Sequence, residues 1–258
     1  MIRIVFFDVD GTLLSETDRS LSPATADSIR ELIRKGIRVV LVTGRPYSLC
    51  EEFSNLGIDI IISANGALIK IGNEVIHKSV LSRQTVQEFS EFAELNDHSI
   101  SYFTESFAIN GLRATDIRVL DALRETLGVT DSPLKMDSLE QEVVCICLYA
   151  DEPETEKFQS RFPSLRFVRF HPYVSNVLEE NEVSKSLAAA RVLDYLHLTR
   201  EEAMAFGDGE NDIDLLAYVG LGIAMGNGGE RLKQIADYVT LCASEEGVTH
   251  ALKKFKLI

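Results

Sequence analysis

The sequence predicts an α/β protein: a doubly wound, parallel, Rossmann-like sheet interrupted by an inserted α+β cap. Three observations carry this expectation. Short apolar runs near the start of the chain alternate with helical patterns in the order β-α-β-α-β, which points to parallel strands joined by crossover helices. Between about residues 82 and 182, helical stretches mix with alternating strands instead, as in an antiparallel sheet. From residue 183 the first pattern resumes. The expected division is a discontinuous core, 1–81 with 183–258, and an insert, 82–182.

The elements follow in order. Ile2–Phe7 is nearly continuous in apolar residues, as a strand buried on both faces would be. Ser22-Pro23 reads as an N-cap followed by proline at the first helical position. Ile29, Leu32 and Ile33 fall on one helix face, and Gly36 is placed to end that helix. Val39–Val42 is a second buried strand. A helix is expected after Pro46, and then a third strand at Ile58–Ile62. In the insert, Val86–Leu95 and Ile117–Leu127 read as helices, and Val143–Leu148, Arg166–Phe170 and Ser175–Leu178 as strands. The core then continues through a helix at Lys185–Leu196, a strand at Ala203–Phe206, a helix at Ile213–Tyr218 and a strand at Leu221–Ala224.

Composition narrows the function. The chain has 258 residues, 45% of them hydrophobic and 26% charged, with a net charge of −14. That balance argues against nucleic acid as a partner, but not against a small phosphorylated substrate, because local charge decides that. No run of eighteen apolar residues occurs, and the N-terminus shows no basic stretch followed by a long apolar one. No membrane association is expected, and the expected location is cytoplasmic. Cys50, Cys145, Cys147 and Cys242 lack C-x-x-C spacing and read as buried small hydrophobes in a reducing compartment.

The first strand ends in Asp8-Val9-Asp10-Gly11-Thr12. Two unit charges at ~4 Å repel by roughly 4 kcal/mol at an effective dielectric of ~20, so two carboxylates at a strand end call for compensation. In open α/β sheets ligands bind beyond the carboxyl ends of the strands. Asp8, Thr43, the Ser63-Ala64-Asn65-Gly66 stretch and Gly207-Asp208 all fall there. Thr43-Gly44-Arg45 joins a hydroxyl to main-chain N–H groups, a possible anion site. Gly207-Asp208-Gly209-Glu210-Asn211-Asp212 brings a second acidic loop, although Asp212 also suits a helix N-terminus. Asp8, Asp10, Asp208 and Asp212 would crowd one cleft. A hard divalent cation with oxygen ligands relieves that crowding, and Mg²⁺ fits best because it retains water and bridges to phosphate. The Asp8 side chain and the Asp10 carbonyl can reach the same cation.

Taken in order, Asp8-Val9-Asp10-Gly11-Thr12, Thr43-Gly44-Arg45, Lys185 and Gly207–Asp212 resemble the four motifs of the haloacid dehalogenase superfamily of phosphohydrolases. The position of the insert, and the loops Ser63-Ala64-Asn65-Gly66-Ala67 and Gly222–Asn227, resemble its C2-cap, Cof-type subfamily. Ser186 and Gly228 stand where that subfamily often has Gly and Ala, and Glu179–Glu182 lacks its usual Pro and Gly. The resemblance implies a Mg²⁺-dependent phosphatase acting on sugar phosphates or similar phosphomonoesters. Asp8 would be the nucleophile that forms an aspartyl-phosphate, and Asp10 the general acid and base. Asp8, the Asp10 carbonyl and Asp208 would hold the metal, with Asp212 assisting directly or through another ligand. Thr43, Gly44, Lys185 and Asn211 would hold the phosphoryl oxygens. Arg45, Asn65 and His171 stand near the expected cleft as candidate substrate contacts. A phosphosugar mutase on the same scaffold and a non-enzymatic, phosphorylatable receiver-like protein are the competing readings.

Overall fold

Strand β1 (Ile4–Phe7) has all four residues buried. Its alternate side chains enter two different cores. Val5 and Phe7 pack on one face with Ile29, Leu32, Val248 and Leu252, while Ile4 and Phe6 pack on the other with Ala188, Val192, Leu215 and Leu216. Two buried faces explain the continuous apolar run, because successive strand side chains point in opposite directions. The computed structural model describes residues 1–104, 107–110, 116–127 and 141–258.

The further strands of the core are β2 (Arg38–Val42), β3 (Ile60–Ser63), β4 (Leu68–Ile71) and β5 (Glu74–Lys78). The insert holds β6 (Ile100–Phe103), β7 (Phe107–Asn110), β8 (Cys145–Tyr149), β9 (Leu165–His171) and β10 (Val174–Glu179). The core then adds β11 (Ala203–Gly207), β12 (Leu221–Ala224) and β13 (Tyr238–Val239). One sheet has the order β13-β12-β11-β1-β2-β3-β4-β5, and the other β7-β6-β8-β10-β9. From β13 to β3 the first sheet is parallel, and β4 and β5 close its edge as an antiparallel hairpin. The second sheet is antiparallel throughout. The core is therefore a parallel-dominated α/β sheet, as expected, and the insert contributes a separate antiparallel one.

Helices α1 (Pro23–Arg34), α2 (Arg83–Leu95), α3 (Ile117–Leu127), α4 (Glu152–Arg161), α5 (Lys185–Tyr195), α6 (Ile213–Tyr218), α7 (Glu230–Ile235) and α8 (Gly247–Lys254) complete the fold. The Ser22 hydroxyl accepts from Thr25 N at 3.1 Å, Pro23 opens α1, and Gly36 follows it at φ +78°, so both ends match the expected signals. α1 and α8 cover one face of the core sheet, and α5 and α6 the other. In the insert, Phe89 of α2 meets Phe158 of α4 at 5.2 Å on the outer face of the sheet. On its inner face, Val119 and Leu123 of α3 join Cys145, Cys147 and Val174, together with Ala64 and Ala67 of the core.

The structure corrects the helix expected after Pro46. Tyr47–Leu49 and Glu51–Leu56 form 3₁₀ turns. Among the side chains described there, Cys50, Phe53 and Leu56 are buried, at 0, 2 and 8% exposure, and their spacing of three matches the three residues per turn of a 3₁₀ helix. The β4–β5 hairpin, β6, β7 and α4 lay outside the sequence expectations. In α4 only Thr155 and Phe158 are buried, too few to leave an apolar stripe. Cys50, Cys145 and Cys147 are buried, as expected, whereas Cys242 is half-buried.

Candidate active site

Parallel strands all finish on the same edge of the sheet, and β1, β2, β3 and β11 deliver their following residues there. Phe7 and Phe206 are paired in register and stack with centroids 4.9 Å apart, a contact worth about 0.5–1.5 kcal/mol beyond its buried area. It pins together the strand ends that carry Asp8 and Asp208. Gly11 lies at φ +77°, and a Cβ there would collide with the Asp208 carboxylate. A Cβ on Gly207 would stand 2.5 Å from Asp212. Glycine at position 11 lets the two acidic loops close on each other, and glycine at 207 lets the second loop fold back on itself.

Lys185 sits at the centre. Ser184 caps α5, its hydroxyl accepting from Leu187 N at 3.1 Å, so Lys185 is the first helical residue and points into the core sheet's active edge. Its side chain is 1% exposed, and Nζ donates to Asp8 Oδ1 and Asp212 Oδ1, both at 2.6 Å. Burial alone would push this ammonium down, but the facing Asp212 and Asp8 carboxylates outweigh it and hold the group above its usual value. Burial pushes Asp8 well above the ordinary carboxylate range; Lys185 opposes that shift, and repulsion from Asp212 and Asp208 adds to it. Burial, with Asp212 beside it, pushes Asp208 up to about 7, against the pull of the Thr12 hydroxyl and Lys185. Thr12 Oγ1 donates to Asp208 Oδ1 at 3.1 Å. Asp212 Oδ2 accepts from Asp208 N at 3.1 Å and Gly209 N at 2.9 Å. Asp212 thus closes its own loop while binding the lysine.

Asp8, Asp208 and Asp212 offer carboxylate oxygens that lie within 4.8 Å of one another. A set of hard oxygen donors with excess negative charge fits a divalent cation such as Mg²⁺. The Asp10 side chain lies outside that group, although Asp10 borders the same cleft as Asp8 and Asp208. Asp10 is 42% exposed at its side chain and is paired with Arg45. Arg45 Nε donates to Asp10 Oδ2 at 2.8 Å and Nη2 to Oδ1 at 2.7 Å, a bidentate pair. Arg19 Nη2 adds a third bond to Oδ1 at 3.0 Å. The repulsion between Asp8 and Asp10 is therefore relieved by side chains of the protein, Lys185 on one side and two arginines on the other.

A third group lies between these. Thr43 is buried, and its hydroxyl accepts from Arg45 N at 3.1 Å. Asn211 Nδ2 donates to Asn65 Oδ1 at 2.9 Å. Asn65, at φ +54°, is 4% exposed, and its Nδ2 has no hydrogen-bond partner among the described residues. A Cβ added to Gly44 would lie 3.2 Å from that nitrogen. A buried donor left unpaired costs about 1–3 kcal/mol, and an anionic oxygen at this loop would satisfy it. Asn176 of β10 reaches in from the cap, its Nδ2 donating to Gly44 O at 3.2 Å while Oδ1 accepts from Cys147 Sγ at 2.9 Å.

These groups border one cleft of about 740 Å³. Its core wall includes Asp8, Asp10, Thr43, Gly44, Arg45, Asn65, Asp208 and Asn211; Glu125, Phe170 and His171 of the cap face them. His171 Nδ1 accepts from Tyr173 N at 3.1 Å, which leaves the ring hydrogen on Nε2, 3.0 Å from Glu125 Oε2. Of the candidate catalytic, phosphate, metal and substrate residues named from the sequence, all but Lys185 and Asp212 line this cleft, and those two are buried and joined to Asp8 through Lys185. Sequence reasoning missed Arg19, Asn176, Glu125 and Phe170. Asn176, a polar residue inside the apolar strand VSNVLE, carried a usable signal; the other three did not.

A buried lysine bridging carboxylates, a Thr-Gly loop beside an unpaired amide donor at the ends of parallel strands and an insert facing the cleft fit a phosphoryl-transfer enzyme of the α/β class. Residues 5–252 match the profile of haloacid dehalogenase-like hydrolases, and the chain belongs to that family. It is 31% identical over 259 residues to YkrA of Bacillus subtilis, covering 99% of this chain and 98% of YkrA. It is 28% identical over 269 residues to the 5-amino-6-(5-phospho-D-ribitylamino)uracil phosphatase YitU of B. subtilis, covering 98% and 97% of the two chains. The structure of the subclass IIB sugar phosphatase BT4131 superposes with a TM-score of 0.87 at 28% identity, covering 99% of this chain and all of that one. The protein is a phosphatase, a phosphoric monoester hydrolase. Among the described residues no helix is long and apolar enough to cross a membrane.

Proposed function

We propose that the protein hydrolyses sugar phosphates or similar small phosphomonoesters with Mg²⁺, through an aspartyl-phosphate on Asp8. The observation that carries this reading is the buried Lys185 bridge between Asp8 and Asp212, beside the unpaired Asn65 donor at the Thr43-Gly44 loop. An Asp8 oxygen attacks phosphorus, and the P–O bond to the substrate alkoxide breaks as Asp10 gives that oxygen a proton. Asp10 then takes a proton from water, which attacks phosphorus and releases phosphate from Asp8. Thr43, Gly44, Lys185, Asn65 and Asn211 hold the phosphoryl oxygens, and Arg45 orients Asp10. Asp8, the Asp10 carbonyl and Asp208 would hold Mg²⁺, with Asp212 fixing the Asp208 loop. When bound, the cation supplies positive charge that keeps these carboxylates ionised and offsets charge on the phosphoryl group. Residues 82–182 form the cap that selects the leaving group. The names of YitU and BT4131 support a phosphorylated polyol or sugar, and Glu125 offers such a group a hydroxyl acceptor.

The test is a panel of phosphorylated metabolites with Mg²⁺, read as free phosphate. Sustained release over many turnovers from sugar phosphates is the expected result. Isomerisation of a hexose phosphate without free phosphate would instead indicate a mutase.

Metal binding should depend on pH. Burial and the neighbouring Asp212 push Asp208 up to about 7 in the metal-free protein, and a carboxylate must give up its proton to bind a cation. Mg²⁺ affinity should therefore weaken about tenfold per pH unit below 7 for one displaced proton. The stability effect has the opposite sign. Because the folded-state value is raised from 3.8 to about 7, folded protein binds more protons than unfolded protein across that window. This contribution to stability is complete below 3.8 and is lost as pH rises through about 7. Metal-free Tm should fall across the window, and Mg²⁺ should restore it above pH 7. Calorimetric titration at pH 6 and 8 checks the first statement; equal affinities would refute it.

A further inference from the structure

The chemistry above leaves Arg19 without a task. It stands in a short loop of the core between β1 and α1. Ser15 N donates to Ser20 O and Arg19 N to Ser15 O, both at 2.9 Å, and Asp18 Oδ1 accepts from Ser20 N at 3.0 Å and Ser20 Oγ at 2.8 Å. Arg19 itself is held at φ +59°, a region unfavourable for residues other than glycine. This turn aims the guanidinium at the cleft. There Nη2 donates to Asp10 Oδ1 at 3.0 Å and to the main-chain oxygen of Thr126 at 2.7 Å. One Nη carries two hydrogens, so the core takes one and the cap the other.

Thr126 lies in the last turn of α3, where carbonyls lack intrahelical donors and a cation is favoured. Its oxygen is a fitting acceptor, and it belongs to the cap. Arg45 is a buried core residue, and its bonds to Asp10 are made within the core.

We propose that Arg19 is a positioning residue that ties the orientation of Asp10 to the seating of the cap. With the cap in place, Asp10 Oδ1 is held by Arg45 and Arg19 together. When α3 lifts, Arg19 loses its second acceptor and its hold on Asp10 slackens. Protonation of the leaving group is then efficient only when the cap covers the substrate. The inference rests on the general acid role proposed for Asp10.

The experiment compares wild type, Arg19→Ala and Arg19→Lys as full-length enzymes with Mg²⁺. Single-turnover release of the leaving group is measured for a hexose 6-phosphate and for p-nitrophenyl phosphate. A sugar alkoxide needs the proton far more than an aryl oxide does. Arg19→Ala should slow sugar release about 10- to 100-fold and nitrophenol release much less, with Tm close to wild type. Millimolar guanidinium should restore part of the loss in Arg19→Ala and do nothing for wild type. Arg19→Lys should be intermediate, since it keeps the charge but not the planar fork. Spin labels on α1 and α4 should report a broader core-to-cap distance distribution in Arg19→Ala. Equal slowing on both esters without guanidinium rescue, or release unchanged from wild type, would overturn the proposal. Wild type that releases phosphate from neither ester would sink the phosphatase chemistry instead, and the distance distributions would then decide the tether by themselves: unchanged in Arg19→Ala, they overturn it.

Discussion

Asp8→Asn should lower kcat by at least about 10³-fold, because the amide cannot form the phosphorylated intermediate. The same substitution should leave the metal-free protein as stable as wild type or more so. Asp8, Asp208 and Asp212 bring three carboxylates together around one ammonium, so removing one negative charge relieves repulsion. The amide oxygen can still accept from Lys185. Mg²⁺ should consequently raise the Tm of Asp8→Asn less than that of wild type, because one ligand charge is missing. Activity within tenfold of wild type, in protein freed of wild-type contamination, would refute the assignment of Asp8.

Lys185→Met should have the largest effect on folding. The methionine fills a similar volume but leaves Asp8 and Asp212 buried without their cation. Breaking a buried ion pair by removing one partner typically costs about 3–5 kcal/mol; in a chain of this size that corresponds to a fall in Tm of roughly 10 °C. The loss should be larger without Mg²⁺ than with it, since the metal supplies part of the missing positive charge. It should also be smaller in the Asp8→Asn background, where one of the stranded charges is gone, and that non-additivity identifies the pair. Thermal denaturation of the four proteins with and without Mg²⁺ measures all of this. A Tm for Lys185→Met within 2 °C of wild type, an interval of about 1 kcal/mol or less, would contradict the bridge.

Much of the candidate site was legible in the sequence for a geometric reason. Parallel strands end on one edge, so an acidic or hydroxyl residue directly after a buried apolar run has a predictable address. Asp8, Thr43 and Asp208 follow that rule, and Asn65, an amide two residues beyond β3, reaches the same edge. Lys185 was legible only through its company, because nothing local distinguishes a buried lysine at a helix start from an exposed one. The side-chain direction of Asp10 was not legible. It is set by Arg45, thirty-five positions away, and by Arg19, whose reach depends on a left-handed turn in a polar loop. Glu125 and Phe170 were hidden for a different reason: which side of the cap sheet faces the core depends on how two sheets meet, and strand periodicity cannot supply that. The segment after Pro46 failed on period, since Cys50, Phe53 and Leu56 fit both a helix face and a 3₁₀ turn over so short a stretch.

The central claim is a covalent intermediate on Asp8, and chemical trapping tests it most directly. Enzyme turning over a sugar phosphate with Mg²⁺ is quenched with borohydride, which reduces an acyl phosphate to an alcohol, and the peptide containing Asp8 is examined by mass spectrometry. Conversion of Asp8 to homoserine, present only with substrate and absent in Asp8→Asn, is the expected result. An enzyme that turns over while Asp8 remains unmodified, or that carries the reduced residue at Asp10 or Asp208, would contradict the account.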